Sequence, residues 1–281
     1  MPAPLDPPAE AFFLATSNGK RYCLFHPPQG VARGALLYVH PFAEEMNKTR
    51  RMVALQARAL AALGYGVLQI DLYGCGDSSG ELRDARWAIW KQDVADGVAW
   101  LATRSRQPVG LWGLRLGALL ALDYARTAKL PPCRLVLWQP VNSGAAFLTN
   151  FLRLRVTSEL VSGTSEPADD SVDLRAALRA GKTIDVGGYE LSGALAAAID
   201  AAEASAFAPI GYPVDWFDVV PSADRPLAPG AAKVASGWRA QGATLQVHLV
   251  HGQPFWATQE IVECPALLAA TSALLGEARL G

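Results

Sequence analysis

The sequence predicts an α/β fold, with a mostly parallel central sheet and helices on both its faces. Three observations predict it. Short apolar runs alternate with longer amphipathic ones along most of the 281 residues. The short runs are apolar throughout rather than alternating with polar residues, as strands covered on both faces are. The alternation breaks once, from Asn142 to Ala206, and then resumes. The expected organisation is a core made of residues 1–141 and 207–281 with a helical cap inserted at 142–206.

The elements follow in order. "AFFLATS" and "KRYCLFHP" flank Asn18-Gly19, a dipeptide suited to a type I′ turn, and form an opening hairpin. "GALLYVH" (34–40) is a buried strand. "TRRMVALQARALAAL" (49–63) is an amphipathic helix closed by Gly64. "YGVLQID" (65–71) is a strand and "ARWAIWKQDVADGVAWLATR" (85–104) a long helix. "PVGLWG" (108–113) is a strand, "LGALLALDYARTA" (116–128) a helix and "CRLVLWQP" (133–140) a strand. The interrupted region carries short helical pieces, "SVDLRAALRA" and "LSGALAAAIDAAEASA", and reads as an insertion outside the sheet. "VDWFDVV" (214–220) and "TLQVHLV" (244–250) are the last strands, with helices at "APGAAKVASGWRAQG" and "PALLAATSALLGEARL". The Pro-rich start is expected to be a loose arm.

Composition excludes several classes. A net charge of −1 leaves no electrostatic footprint for nucleic acid, and no basic run suggests a membrane surface. The four cysteines are scattered without CxxC spacing, so neither a disulfide framework nor a zinc site is expected. No apolar run reaches the ~20 residues that span a bilayer, and no signal peptide is visible. The expectation is a cytoplasmic protein without metal or cofactor.

The chemistry should centre on "GLWGLRLGALLAL" (110–122). A buried strand enters Gly113-x-x-x-Gly117 and an apolar helix follows, which is the layout of the nucleophile elbow Gly-x-Ser-x-Gly. The central residue here is Arg115. With "DLYGCGDSSG" after the strand "YGVLQID", the order of elements resembles the α/β-hydrolase fold. "HPFAEEMNKTRRM", "GLWGLRLGALLAL", "LWQPV" with "FLRLR", and "GQPFWATQEI" are similar to the exosortase A system-associated hydrolase 2 family. That resemblance implies a hydrolase-type fold and a setting beside exosortase and exopolysaccharide functions.

A hydrolase of that fold needs serine, acid and histidine in chain order. A guanidinium stays protonated and cannot attack a carbonyl. Pro254 occupies the expected histidine position in "HGQPFW", leaving His251, three residues earlier near the strand end, as the candidate to swing into the site. Asp224 in "PSADRPLAP" best matches the acid, ahead of Asp218 inside its strand. A pseudoenzyme is therefore expected. A cation at a helix N-terminus opposes the helix dipole and calls for a negative partner. Glu44 and Glu45, in the loop after "LLYVH", could supply it, and so could an anionic or acyl ligand bound with help from Arg153 and Arg155. Leu114, Leu116, Ser143, Phe255 and Trp256 are the further candidate binding residues. Two functions follow as expectations. One is non-catalytic binding of an anionic ligand or a protein partner. The other is an ester or thioester hydrolase, or acyl-transferring enzyme, with a rearranged site built on His40, Glu44 or Glu45. Cys75, Ser78, Ser79, His26 and His248 read as packing, capping or turn residues.

Overall fold

The computed structural model describes residues 8–162, 170–222 and 224–277, with side chains from 155 to 172 outside the description. The Arg155 side chain and the Pro-rich arm at 1–7 therefore lie outside what the structure describes. β1 (Glu10–Thr16) and β2 (Gly19–His26) form the opening antiparallel hairpin, and β2 lies antiparallel on β4 (Tyr65–Ile70). β3 (Gly34–Val39), β5 (Val109–Leu114), β6 (Leu135–Trp138), β9 (Val214–Val220) and β10 (Leu245–His251) complete an eight-stranded sheet of order β1-β2-β4-β3-β5-β6-β9-β10. All pairs from β4 to β10 are parallel. This is the mostly parallel architecture expected.

Burial on both faces explains the strand composition. Every residue of β3, β5 and β6 is buried, so no polar alternation is available to those runs. One face packs Leu36, Tyr38, Trp112, Leu114, Val136, Trp138 and Phe217 against α1 (Glu44–Ala62) and α8 (Pro265–Glu277). The other packs Leu37, Val39, Leu111, Leu135 and Leu137 against α2 (Trp87–Arg104) and α3 (Leu116–Thr127). An aromatic row crosses the first face. Tyr38 lies 4.6 Å from Trp112, Trp112 4.7 Å from Trp138, Trp138 6.2 Å from Phe255, and Phe255 5.1 Å from Trp256.

Two expectations are corrected. α1 starts at Glu44, not Thr49, so the two glutamates form its first turn instead of a loop. Ala43, at φ 52°, turns the chain, Glu45 N–H donates to the Phe42 carbonyl, and buried Met46 anchors the new turn. Acidic residues favour that position because they complement the helix dipole.

The second correction concerns 142–206. Besides α4 (Gly144–Ser162), α5 (Asp170–Arg179) and α6 (Gly193–Ala201), it contains an antiparallel hairpin, β7 (Thr183–Val186) and β8 (Tyr189–Ser192). Gly187-Gly188 makes the turn with positive φ at both residues, and Ile184 and Val186 alternate inward against exposed Thr183 and Asp185. α7 (Pro229–Ala240) lies between β9 and β10.

Candidate functional site

The turn from β5 into α3 exists because two glycines permit it. A Cβ on Gly113 would stand 2.5 Å from Ala118 Cα, and one on Gly117 would stand 2.3 Å from the carbonyl oxygens of both Val39 and His40. Only hydrogen fits there, so α3 lies directly against β5 and β3. The residue at the turn, Arg115, takes φ 55° and ψ −119°, a conformation costly for a side-chain-bearing residue. Its backbone is held on both sides: N–H donates to the Trp138 carbonyl at 3.0 Å, and its carbonyl accepts from Ala118 and Val141.

The Arg115 side chain meets a carboxylate of the protein itself. Nε donates to Glu45 Oε1 at 3.2 Å and to Oε2 at 3.3 Å, and Nη2 donates to Oε1 at 3.0 Å. The guanidinium carbon lies 5.3 Å from the Trp256 ring centroid, a cation–π contact. Only about a fifth of either charged side chain is exposed, at 21% and 20%. Burial pushes the Glu45 carboxyl up, and Arg115 acts against that shift. Glu45 sits where its own helix favours a negative charge, while Arg115 sits where its helix disfavours a positive one.

These residues form the floor of a cavity of about 620 Å³ between the C-terminal ends of the strands and α4. Phe42, Val141, Phe147, Phe151 and Leu154 supply apolar wall, and Glu44, Lys48, Ser143 and Asp218 supply polar groups. The size suits a drug-sized ligand.

The other expected site residues fall into two sets. Glu44 and Ser143 line the cavity, each already engaged. Glu44 Oε2 accepts from the Tyr189 hydroxyl at 2.9 Å, and the Ser143 hydroxyl donates to Glu203 at 2.6 Å. His40 is buried, and both ring nitrogens are committed. Nε2 accepts from the Leu72 N–H at 3.1 Å, which places the proton on Nδ1, 2.7 Å from the Pro41 carbonyl. Burial pulls its pKa down, so His40 is a neutral brace between two loops instead of an acid–base group.

Asp224 is corrected as well. It is exposed in a surface turn, accepts from Ser222, and does not line the cavity, whereas buried Asp218 does. His251 is exposed at the end of β10 and is absent from the cavity wall. Leu114 and Phe255 are fully buried in the core, and Leu116 faces a small internal void beside His40. None of these three lines the cavity. Asp218 and Tyr189 carry weight that their sequence context conceals. Asp218 sits within a continuous strand, and Tyr189 on a hairpin whose signal was the Gly187-Gly188 pair.

Cys75 is half-buried, and burial pushes its thiol far up, which disfavours the thiolate a nucleophile needs. Among the described residues no cluster of three or more His, Cys, Asp or Glu could hold a metal ion, and no helix is long and apolar enough to cross a membrane.

The family described as serine aminopeptidase, S33, matches residues 30–171, a stretch that contains the elbow and the start of the inserted segment. The chain belongs to that family. The chain is 30% identical over 128 residues to lysophosphatidylserine lipase ABHD12 of Gallus gallus, a match covering 44% of this chain and 32% of the lipase. The chain thus spans about a third of that relative's length. Solved structures share the fold of this S33 chain over nearly all of its length. Est1E from Butyrivibrio proteoclasticus with bound ferulic acid superposes with a TM-score of 0.68 at 15% identity, covering 94% of this chain and 98% of its own. A soluble variant of the monoglyceride lipase of Saccharomyces cerevisiae, bound to a substrate analogue, gives 0.62 at 15% identity, covering 96% and 93%. At such identities the likeness is one of fold, that of α/β hydrolases with esterase- and lipase-like members.

Proposed function

We propose that this S33-family chain uses a hydrolase fold to hold a ligand without cleaving it. The observation that carries the reading is Arg115, standing at the elbow's strained turn with its guanidinium closed on Glu45. A guanidinium is no nucleophile, and no histidine lines the cavity among the described residues. Glu45 also supplies the negative group that Arg115 needs, so an anionic ligand is not required to neutralise it. In this reading residues 142–206 act as a cap, with Phe147 and Phe151 forming its inner wall. Following the resemblance of its motifs to the exosortase A system-associated hydrolase 2 family, the reading extends to exosortase- or exopolysaccharide-linked assembly in the cytoplasm, with a protein partner there receiving the ligand.

The competing reading is a rearranged hydrolase in which Glu45 activates water. Family membership and the upward pressure of burial on the Glu45 carboxyl favour it. Turnover of p-nitrophenyl butyrate and of an acyl-CoA by the wild type and by Glu45→Gln separates the two. Binding without hydrolysis predicts rates equal to buffer for both proteins, and for Arg115→Ser as well. Wild-type turnover that is lost in Glu45→Gln would overturn the proposal.

A further inference from the structure

Among the charged groups that line the cavity, the buried one is left almost unattended by the protein. Its charged lining residues are Glu44, Glu45, Lys48, Arg115 and Asp218. Glu45 and Arg115 neutralise each other. Glu44 accepts from Tyr189 and Asn47 at the outer edge. Lys48 adds its charge to the field on Glu45. Asp218 remains. It is 6% exposed, lines the cavity, and its described hydrogen bond is a long one from Trp216 Nε1 at 3.4 Å. Arg115 is near enough to act on Asp218 through space, yet its guanidinium is closed on the other carboxylate. Two largely buried carboxylates therefore share one guanidinium, and a buried carboxylate with a single long hydrogen bond is unfavourable until something supplies more donors.

Resting on the non-hydrolytic reading above, we infer that the ligand is a cationic amphiphile, its ammonium seated on Asp218 and its apolar body against Phe42, Phe147 and Phe151. An ammonium brings three N–H donors and the one positive charge that balances the Glu45–Arg115–Asp218 group. A carboxylate or phosphate head would add a second negative charge beside Asp218, where the Arg115 guanidinium is already closed on Glu45. The aromatic wall matches the rest of such a molecule: Phe42 stacks edge-on with Phe151 at 4.9 Å and with Phe147 at 6.1 Å, giving a continuous apolar surface.

Three compounds with one tail and different heads test this: n-octylammonium, 1-octanol and octanoate, titrated calorimetrically into the full chain at neutral pH. The expected result is that octylammonium binds at least tenfold more tightly than octanol, and octanoate more weakly than either. Asp218→Asn should abolish the ammonium advantage while octanol binding, the control for an intact cavity, persists. Asp218→Glu, which keeps the charge, should restore the preference. If either variant fails to fold, the wild-type ranking alone decides. Equal binding of the three heads, a preference for octanoate, or an ammonium preference that survives Asp218→Asn would overturn the inference and leave the non-hydrolytic reading standing. Binding of none of the three would overturn both. Ester turnover would overturn the reading of function alone, and the head-group ranking would still judge the inference.

Discussion

Arg115 and Glu45 stand at the N-termini of two helices that converge on one point, and the two positions are not equivalent. The α1 dipole favours Glu45, and the α3 dipole opposes Arg115 by a few tenths to ~1 kcal/mol. The pair therefore mends a local electrostatic fault as well as filling the turn. With both side chains about four-fifths buried, its hydrogen bonds to charged groups should be worth more than a surface ion pair. A double-mutant cycle with Arg115→Ser and Glu45→Gln, read by urea unfolding, should give a coupling of about 1–3 kcal/mol. A coupling near zero would mean that the geometry contributes nothing to stability. That Arg115 needs a negative partner was legible in the sequence. Which glutamate supplies it was not, because that depends on helix phase. Adjacent residues on a helix diverge by about 100°, so Glu45 turns to Arg115 while Glu44 turns to Tyr189. The phase is set by where α1 begins, and a start placed at Thr49 removes the distinction.

At the scale of elements, the β5–α3 unit was readable because glycine spacing and apolar pattern agree. Gly113 and Gly117 are local necessities, visible without knowing what they touch. What they touch explains their strictness. Gly117→Ala would press a methyl group onto two carbonyl oxygens of the β3 end, 2.3 Å away before relaxation. Backbone cannot yield as a side chain can, so we expect a loss of about 3 kcal/mol, at the upper end of overpacking costs. α3 would also shift away from β3, carrying Arg115 off Glu45. Urea unfolding of Gly117→Ala, alone and combined with Glu45→Gln, checks both effects: the second substitution should cost less in the shifted background. Asp218 and Asp224 teach the opposite lesson. A strand position next to the sheet's C-terminal rim can point into a cavity even when its neighbours are core. A Pro-flanked turn can look like a catalytic loop and carry only its own turn bonds. Strand registers decide this, and they are set by pairing partners far away in sequence.

For the molecule as a whole, the buried histidines shape the response to acid. Burial lowers the pKa of His40 and of His26 from the ordinary 6.5. In each case the unfolded chain takes up its proton first as pH falls. Their contribution to stability is thus complete above pH 6.5 and is lost progressively below it. The carboxyls of Glu45, Asp218 and Asp93 are raised by burial and act in the opposite sense, losing their contribution as pH rises through their folded values. Comparison of variants isolates the histidine part. Between pH 6.5 and 5.5, His40→Asn should flatten the fall in unfolding free energy by up to about 1.4 kcal/mol per pH unit, whatever its effect at neutral pH. An unchanged slope in urea titrations would show that His40 is protonated in the native state. The mostly parallel sheet and its two-sided core were foreseeable from hydrophobic pattern alone. The brace His40 makes between the loops after β3 and β4 was not, because its partners are backbone groups that any sequence would provide.

The aromatic row beneath the sheet ends where Trp256 lies against the Arg115 guanidinium. An indole's emission shifts with the charge beside it, so the protein carries an optical reporter at the floor of its own cavity. Among its eight tryptophans, Trp256 is the one that lines that space. The difference spectrum between wild type and Trp256→Phe would therefore record any occupant that moves the guanidinium, without a label and without knowing the occupant's chemistry beforehand.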